Sequence, residues 1–96
     1  MSRLLVTSAA EHDFTESLAW YAGRSQQAAG AFDAEFDRVL KSIRLNPNRF
    51  PLCDERHRYA IMHRFPFQVI FREQGDRWAV IAVAHAKRSP GYWASR

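Results

Sequence analysis

A chain of 96 residues, 47% hydrophobic and 25% charged, has an ordinary globular composition and length for one small domain over 1–96. No apolar run approaches the ~20 residues of a membrane span, and residues 1–6 lack the long apolar stretch of a signal peptide. The net charge of +4 is divided unevenly. Residues 1–37 hold two cations against six carboxylates, net −4, and residues 38–96 hold twelve against four, net +8. Such polarity suits a basic surface facing an anionic partner, or a solvated basic sheet edge with no partner. Cys53 is the single cysteine, so no internal disulfide forms, and the expected location is a reducing cytoplasm.

Leu4-Leu5-Val6 reads as a short first strand. Ser8 and Glu11 then match a capping box, which predicts a helix with Ser8 as its N-cap. That helix extends to about Ala22, with Phe14, Leu18 and Tyr21 as its buried stripe and Gly23 as its stop. Ser25 caps a second helix that runs to about Leu45. Phe32, Phe36, Val39, Leu40 and Ile43 form its apolar stripe, and Gly30 predicts a frayed start. Asn46-Pro47 ends it, because proline disfavours helical backbone at the residue before it. A connection of two or three residues makes the pair an antiparallel hairpin.

Past the loop 47–54 the period changes to two. Tyr59, Ile61 and His63 alternate with Arg58, Ala60, Met62 and Arg64. Phe65-Pro66 marks a turn, Phe67 to Arg72 a second strand of this meander, and Gln74-Gly75-Asp76 a hairpin turn. Trp78 to Ala84 is apolar on both faces, which places it centrally in the sheet. The expected order is β-α-α-β-β-β, an α+β fold with a helical hairpin packed on a twisted, mainly antiparallel sheet.

The central strand delivers His85, Lys87, Arg88, Tyr92, Trp93 and Arg96 to one edge of the domain. Cations beside flat rings suit a polyanion with exposed bases or an acidic protein. Metal-free RNA cleavage needs a base, a phosphate-binding cation and an acid, and His85, Arg88 and Tyr92 are the candidates. Chemistry alone favours the simpler reading, in which His85 caps the strand, Arg88 pairs with a carboxylate and Tyr92-Trp93 packs over the sheet edge. Arg56, Arg58, Arg64 and Arg72, from adjacent strands, are expected to form a ridge that binds phosphate or an acidic segment. His12, His57, His63, His85 and Cys53 lack metal-ligand spacing, so neither metal nor cofactor is expected.

In order and spacing the chain resembles the RelE/ParE superfamily of toxins from type II toxin–antitoxin modules, its ParE branch above all. The likeness rests on Ala10 and Asp13 at the start of the first helix, Trp20-Tyr21 near its end, and Phe32 and Phe36 on the second helix. It continues through Asn46-Pro47-Asn48-Arg49-Phe50-Pro51, Phe65-Pro66-Phe67-Gln68-Val69-Ile70-Phe71, and the segment Ala84 to Arg96. The resemblance implies the α+β fold above, a cognate antitoxin protein as partner, and contact with operator DNA only through that antitoxin. It implies inhibition of DNA gyrase for ParE-like members and ribosome-dependent mRNA cleavage for RelE-like ones.

The RelE-like pattern has cations where this chain carries Gln68 and Ala86, whereas Arg88 and Tyr92 match it. That favours a non-enzymatic gyrase inhibitor. The alternatives are a metal-independent mRNA endoribonuclease with His85, Arg88 and Tyr92 in its site, and a non-toxic antitoxin-binding module. Expected target contacts are Arg58, Arg64, Arg88, Tyr92, Trp93 and Arg96. Expected antitoxin contacts are Arg56, Arg58 and Arg72, with Phe32 and Phe36 on the helical hairpin as a second place.

Overall fold

The structure, a computed structural model, describes residues 2–96; Met1, the first residue of the N-terminal stretch read above, lies outside them. The elements in chain order are β1 (Leu4–Val6), α1 (Ser8–Ala22), α2 (Gln26–Leu45), a short 3-10 turn (Pro47–Arg49), β2 (His57–Ile61), β3 (Phe67–Gln74) and β4 (Arg77–His85). The four strands form one sheet in the order β1-β4-β3-β2. β1 runs parallel to β4, and the other two pairings are antiparallel. The expected α+β architecture is therefore present, with Trp78–Ala84 inside the sheet.

Local chemistry sets the helix ends, with one correction. The N-cap of α1 is Thr7, not Ser8. Its hydroxyl accepts the Ala10 amide at 3.3 Å and donates to the Val80 carbonyl at 2.8 Å. One side chain thus both starts the helix and ties it to β4, which Ser8, one residue further on, does not do. Ser25 caps α2 as expected, accepting from the Ala28 amide at 3.2 Å. Gly30 lies inside a continuous helix, so the predicted fraying is absent; a Cβ added there would meet nothing within 4 Å.

The hairpin packs on one face of the sheet around Phe32, which is 0% exposed. Its ring centroid lies 5.4 Å from Phe14, 5.0 Å from Tyr21, 5.3 Å from Phe65 and 5.2 Å from Phe67. Val69, Phe71, Trp78 and Val80 complete this core from the strands, with Met62 just past β2. The other sheet face carries a smaller cluster of Ile70, Ala79, Ile81, Ala82 and Ala84, covered by Trp93 and Tyr92. β4 is apolar on both faces because each face is covered by different chain.

β2 ends at Ile61, short of the alternation that runs to Arg64. Arg64 takes φ 72, a left-handed backbone that closes a tight turn in which the Met62 amide donates to the Phe67 carbonyl at 3.0 Å. No helix is long and apolar enough to cross a membrane among the described residues.

Two neighbouring positions should respond oppositely. Gly30→Ala should stabilise the protein by about 0.5–1 kcal/mol, since an exposed helix interior gains propensity without a clash. Phe32→Ala should cost about 3–5 kcal/mol, because the ring fills the centre of the core. Urea denaturation of both variants checks the pair.

Candidate functional site

The site is assembled where β4 outruns β1. β1 is three residues long, and its ladder to β4 ends at Val6 opposite Val80. The backbone of β4 beyond that point needs other partners, since a buried unpaired amide costs roughly 1–3 kcal/mol. Asp13, in the second turn of α1 and 5% exposed, accepts the Val83 amide at 3.1 Å. Arg96 donates to the Ile81 carbonyl at 3.1 Å and to both oxygens of Asp13, at 2.7 and 3.2 Å. Ile81 is an extra residue in β4: Ile70 pairs with Ala82 and Phe71 with Val80, leaving it without a partner on β3. The Tyr92 hydroxyl also donates to Asp13, at 3.3 Å. The Asp13 hydrogen bond and charge raise the Arg96 guanidinium above its ordinary pKa. Burial pushes the Tyr92 phenol up as well, and Asp13 adds to the effect.

These contacts fold the tail back across the sheet. Gly91, at φ 77, provides the left-handed turn that a side chain would strain. Trp93 is 8% exposed, with its ring centroid 4.8 Å from the His57 imidazole. His57 is itself held on both sides: Nδ1 lies 2.9 Å from Asp54 Oδ2, and Nε2 lies 3.1 Å from Arg72 Nη1. A guanidinium can only donate, so Nε2 accepts and the ring proton sits on Nδ1, toward Asp54.

Between this tail and the ends of β3 and β4 lies a cleft of 530 Å³, bordered by Asp54, Gln68, His85, Arg88, Tyr92 and Trp93. Arg88 is exposed, and its guanidinium carbon stacks 3.8 Å from the Tyr92 ring centroid. His85 Nδ1 accepts the Lys87 amide at 3.0 Å, and its ring edge meets Phe67. Cys53 also lines the cleft, its thiol pushed above the ordinary value by burial and then by the Asp54 charge, away from reactivity. His85 also borders a second cleft, of 640 Å³, beside the half-exposed Trp20. Arg24 stacks on that indole at 3.7 Å.

The family model described as "ParE toxin of type II toxin-antitoxin system, parDE" matches residues 4–90. This chain belongs to the ParE toxin family. A chain from the chromosomal ParDE TA system of P. aeruginosa has the same fold, with a TM-score of 0.78 at 20% identity. The match covers 91% of this chain and 98% of that one. No curated protein matches the sequence.

Within this ParE-family fold several sequence-based placements need correction. Arg56, Arg58, Arg64 and Arg72 form no ridge. Directly opposed residues of a strand pair share a face, and Arg72 lies opposite His57 while Arg58 lies opposite Phe71. The two side chains therefore leave opposite faces of the sheet. Arg72 is buried, with burial and the Arg56 charge drawing its guanidinium down from its ordinary value. Arg58 Nη1 donates to the Phe50 carbonyl at 2.6 Å and the Asn48 carbonyl at 3.3 Å, holding the loop after α2. Arg64 sits alone in its turn, and Arg56 is exposed before β2. Phe32 and Phe36 lie inside the core, so they present no surface to an antitoxin. Trp93 is buried against His57, and Arg96, its side chain partly exposed, is committed to Asp13. Among the tail cations Lys87, Arg88 and Arg96 are exposed, Arg96 with its guanidinium tied to Asp13, and Tyr92 is partly exposed.

Asp13, which contributes to the family likeness in the sequence, was not among the expected site residues. A carboxylate three residues after the buried Ala10, on the inward side of α1, was the visible signal.

Asp13→Ala leaves the buried Val83 amide without its acceptor and the partly exposed Arg96 without its ion pair, and should cost about 1–3 kcal/mol. The Asp13→Ala/Arg96→Ala double variant should lose clearly less than the sum of the singles in a urea double-mutant cycle. Asp54 supplies a pH prediction. Backbone amides of Arg56 and His57, then the His57 ring, hold its carboxyl below the ordinary value. Its stabilisation is therefore complete above about pH 4 and fades as pH falls through the lower folded value. The Tm difference between wild type and Asp54→Asn should shrink steadily as pH drops below that point.

Proposed function

We propose that this protein is the toxin of a type II toxin–antitoxin module that arrests growth by binding DNA gyrase and is neutralised by a cognate antitoxin. The state of the tail cleft carries the choice against RNA cleavage. A metal-free ribonuclease needs a free base, a free acid and several phosphate-binding cations around one point. Here His85 Nδ1 is occupied by the Lys87 amide and the Tyr92 hydroxyl by Asp13. Gln68 and Ala86 provide no charge, leaving Arg88 as the one guanidinium open to the cleft among the described residues. An exposed Arg88 on a fixed Tyr92 ring is suited instead to protein contact, where Arg and Tyr anchor interfaces. Lys87 extends the same basic patch. The family match supports the toxin reading and the antitoxin partner. Plasmid stabilization is the cellular role this reading implies.

One observation favours the ribonuclease as a second reading: His85, Arg88 and Tyr92 do border a single cleft. A direct comparison separates the two. Purified protein at micromolar concentration should inhibit gyrase supercoiling, and Arg88→Ala should weaken inhibition roughly tenfold while melting at the wild-type temperature. Primer extension on translated mRNA after induction should show no new codon-linked ends. Unaffected supercoiling together with such ends would establish the ribonuclease. Normal growth on induction without antitoxin would leave only a non-toxic binding module.

A further inference from the structure

Of the two edge strands, β1 and β2, the β2 edge is chemically specific. Alternate residues of an edge strand turn their amide and carbonyl outward. On β2 these are His57, Tyr59 and Ile61. The Cys53 amide donates to the His57 carbonyl at 2.8 Å, and the Tyr59 amide to the Pro51 carbonyl at 3.1 Å, so loop 51–53 covers the first part. Beyond the strand, the His63 amide donates to Glu35. Between these stops, the Tyr59 carbonyl and the Ile61 amide and carbonyl have no partner among the described residues. The Ile61 side chain is 59% exposed beside them.

A groove of 380 Å³ runs along this gap between α2 and β2. Val39, Phe50 and Ala60 line it, and Arg38, Arg49 and His63 stand around it. No carboxylate lines it, and the nearest acid, Glu35, is already bound to Arg38 and the His63 amide. A second copy of this chain would bring Arg38 and Arg49 against their own counterparts, a like-charge pairing. The tail of this chain is pinned elsewhere by Asp13.

We propose that this edge receives an extended segment of an acidic partner chain as an added strand. Resting on the toxin–antitoxin reading, this assigns the antitoxin's contact to β2 and gives its chemistry. A segment parallel to β2 accepts the Ile61 amide and donates to the Tyr59 carbonyl through one residue opposite Ala60; an antiparallel one exchanges both bonds with Ile61. An apolar side chain of the segment covers Val39 and Phe50, and its carboxylates meet Arg38 and Arg49.

A displayed library of random peptides about eight residues long, selected on the full-length protein, tests this. Enriched sequences should alternate acidic with apolar residues, and a synthetic copy should slow hydrogen exchange at the Ile61 amide. Ile61→Pro should weaken that peptide roughly tenfold, since a proline fits an edge strand where its missing amide faced outward. Arg49→Glu, an exposed change that leaves the backbone intact, should weaken it as strongly and keeps the test sound if Ile61→Pro misfolds. Enrichment of basic or uncharged peptides, no enrichment at all, unchanged exchange at Ile61, or full affinity in Arg49→Glu would each overturn the proposal. The supercoiling result stands apart from all of these, so failure here and failure of the gyrase reading are distinguishable.

Discussion

The Asp13 carboxylate is the constraint on which the rest of the structure depends. A first strand of three residues cannot accompany a β4 of nine, so the inner strand would carry unpaired backbone into the core. One buried acid resolves this. It accepts the Val83 amide directly and recruits Arg96, whose guanidinium in turn satisfies the Ile81 carbonyl at the bulge. A lone buried carboxylate is strongly disfavoured, and the Arg96 guanidinium, its side chain 25% exposed, supplies the charge that balances it. The geometry of the tail, including the seating of Trp93 over His57, follows from where that pair forms.

The clamp also divides the C-terminal segment into two parts with different prospects. Trp93 and Arg96 are spent on cohesion. Lys87 and Arg88 project from the same segment into solvent, with Arg88 braced against the Tyr92 ring. Because Tyr92 is anchored to Asp13, Arg88 stacks on a fixed surface and loses less side-chain freedom on meeting a partner. Cohesion at one end of the tail thus preorganises recognition at the other. The substitutions that would most disturb function by unfolding, at Asp13 or Arg96, are not those that touch the exposed surface.

The fold was legible in the sequence wherever the signal was local. The apolar spacing of Phe32, Phe36, Val39, Leu40 and Ile43, the Ser25 cap, the Asn46-Pro47 stop and the two-faced apolarity of Trp78 to Ala84 each depend on neighbours a few residues away. The N-cap was misplaced by one residue because the choice of Thr7 rests on Val80, far along the chain. The site was harder for the same reason. A run of arginines on adjacent strands reads as a ridge until register is known, and register sends Arg58 and Arg72 to opposite faces. The Asp13–Arg96 pair spans nearly the whole sequence, and no local pattern predicts it.

Charge patterning acquires a physical meaning once the layers are in place. Of the six carboxylates in residues 1–37, Glu11, Glu16, Asp33 and Asp37 lie exposed on the helical hairpin, while Asp13 and Glu35 are consumed by internal pairs. Of the twelve cations of the second half, Arg38, Lys41 and Arg44 lie on α2, and the other nine lie on the sheet, its loops and the tail. Residues 8–45 hold six acids against four cations, and the rest of the chain ten cations against four acids, so the basic excess lies with the strands, loops and tail. The two margins of the central strands then play opposite roles. The unpaired backbone of β4 is closed from within by Asp13 and Arg96, whereas that of β2 is left bare between two stops and flanked by arginines. A fold that commits a largely buried ion pair to close the end of β4 leaves unmatched backbone and an exposed isoleucine along β2, the margin where the proposed acidic strand would add.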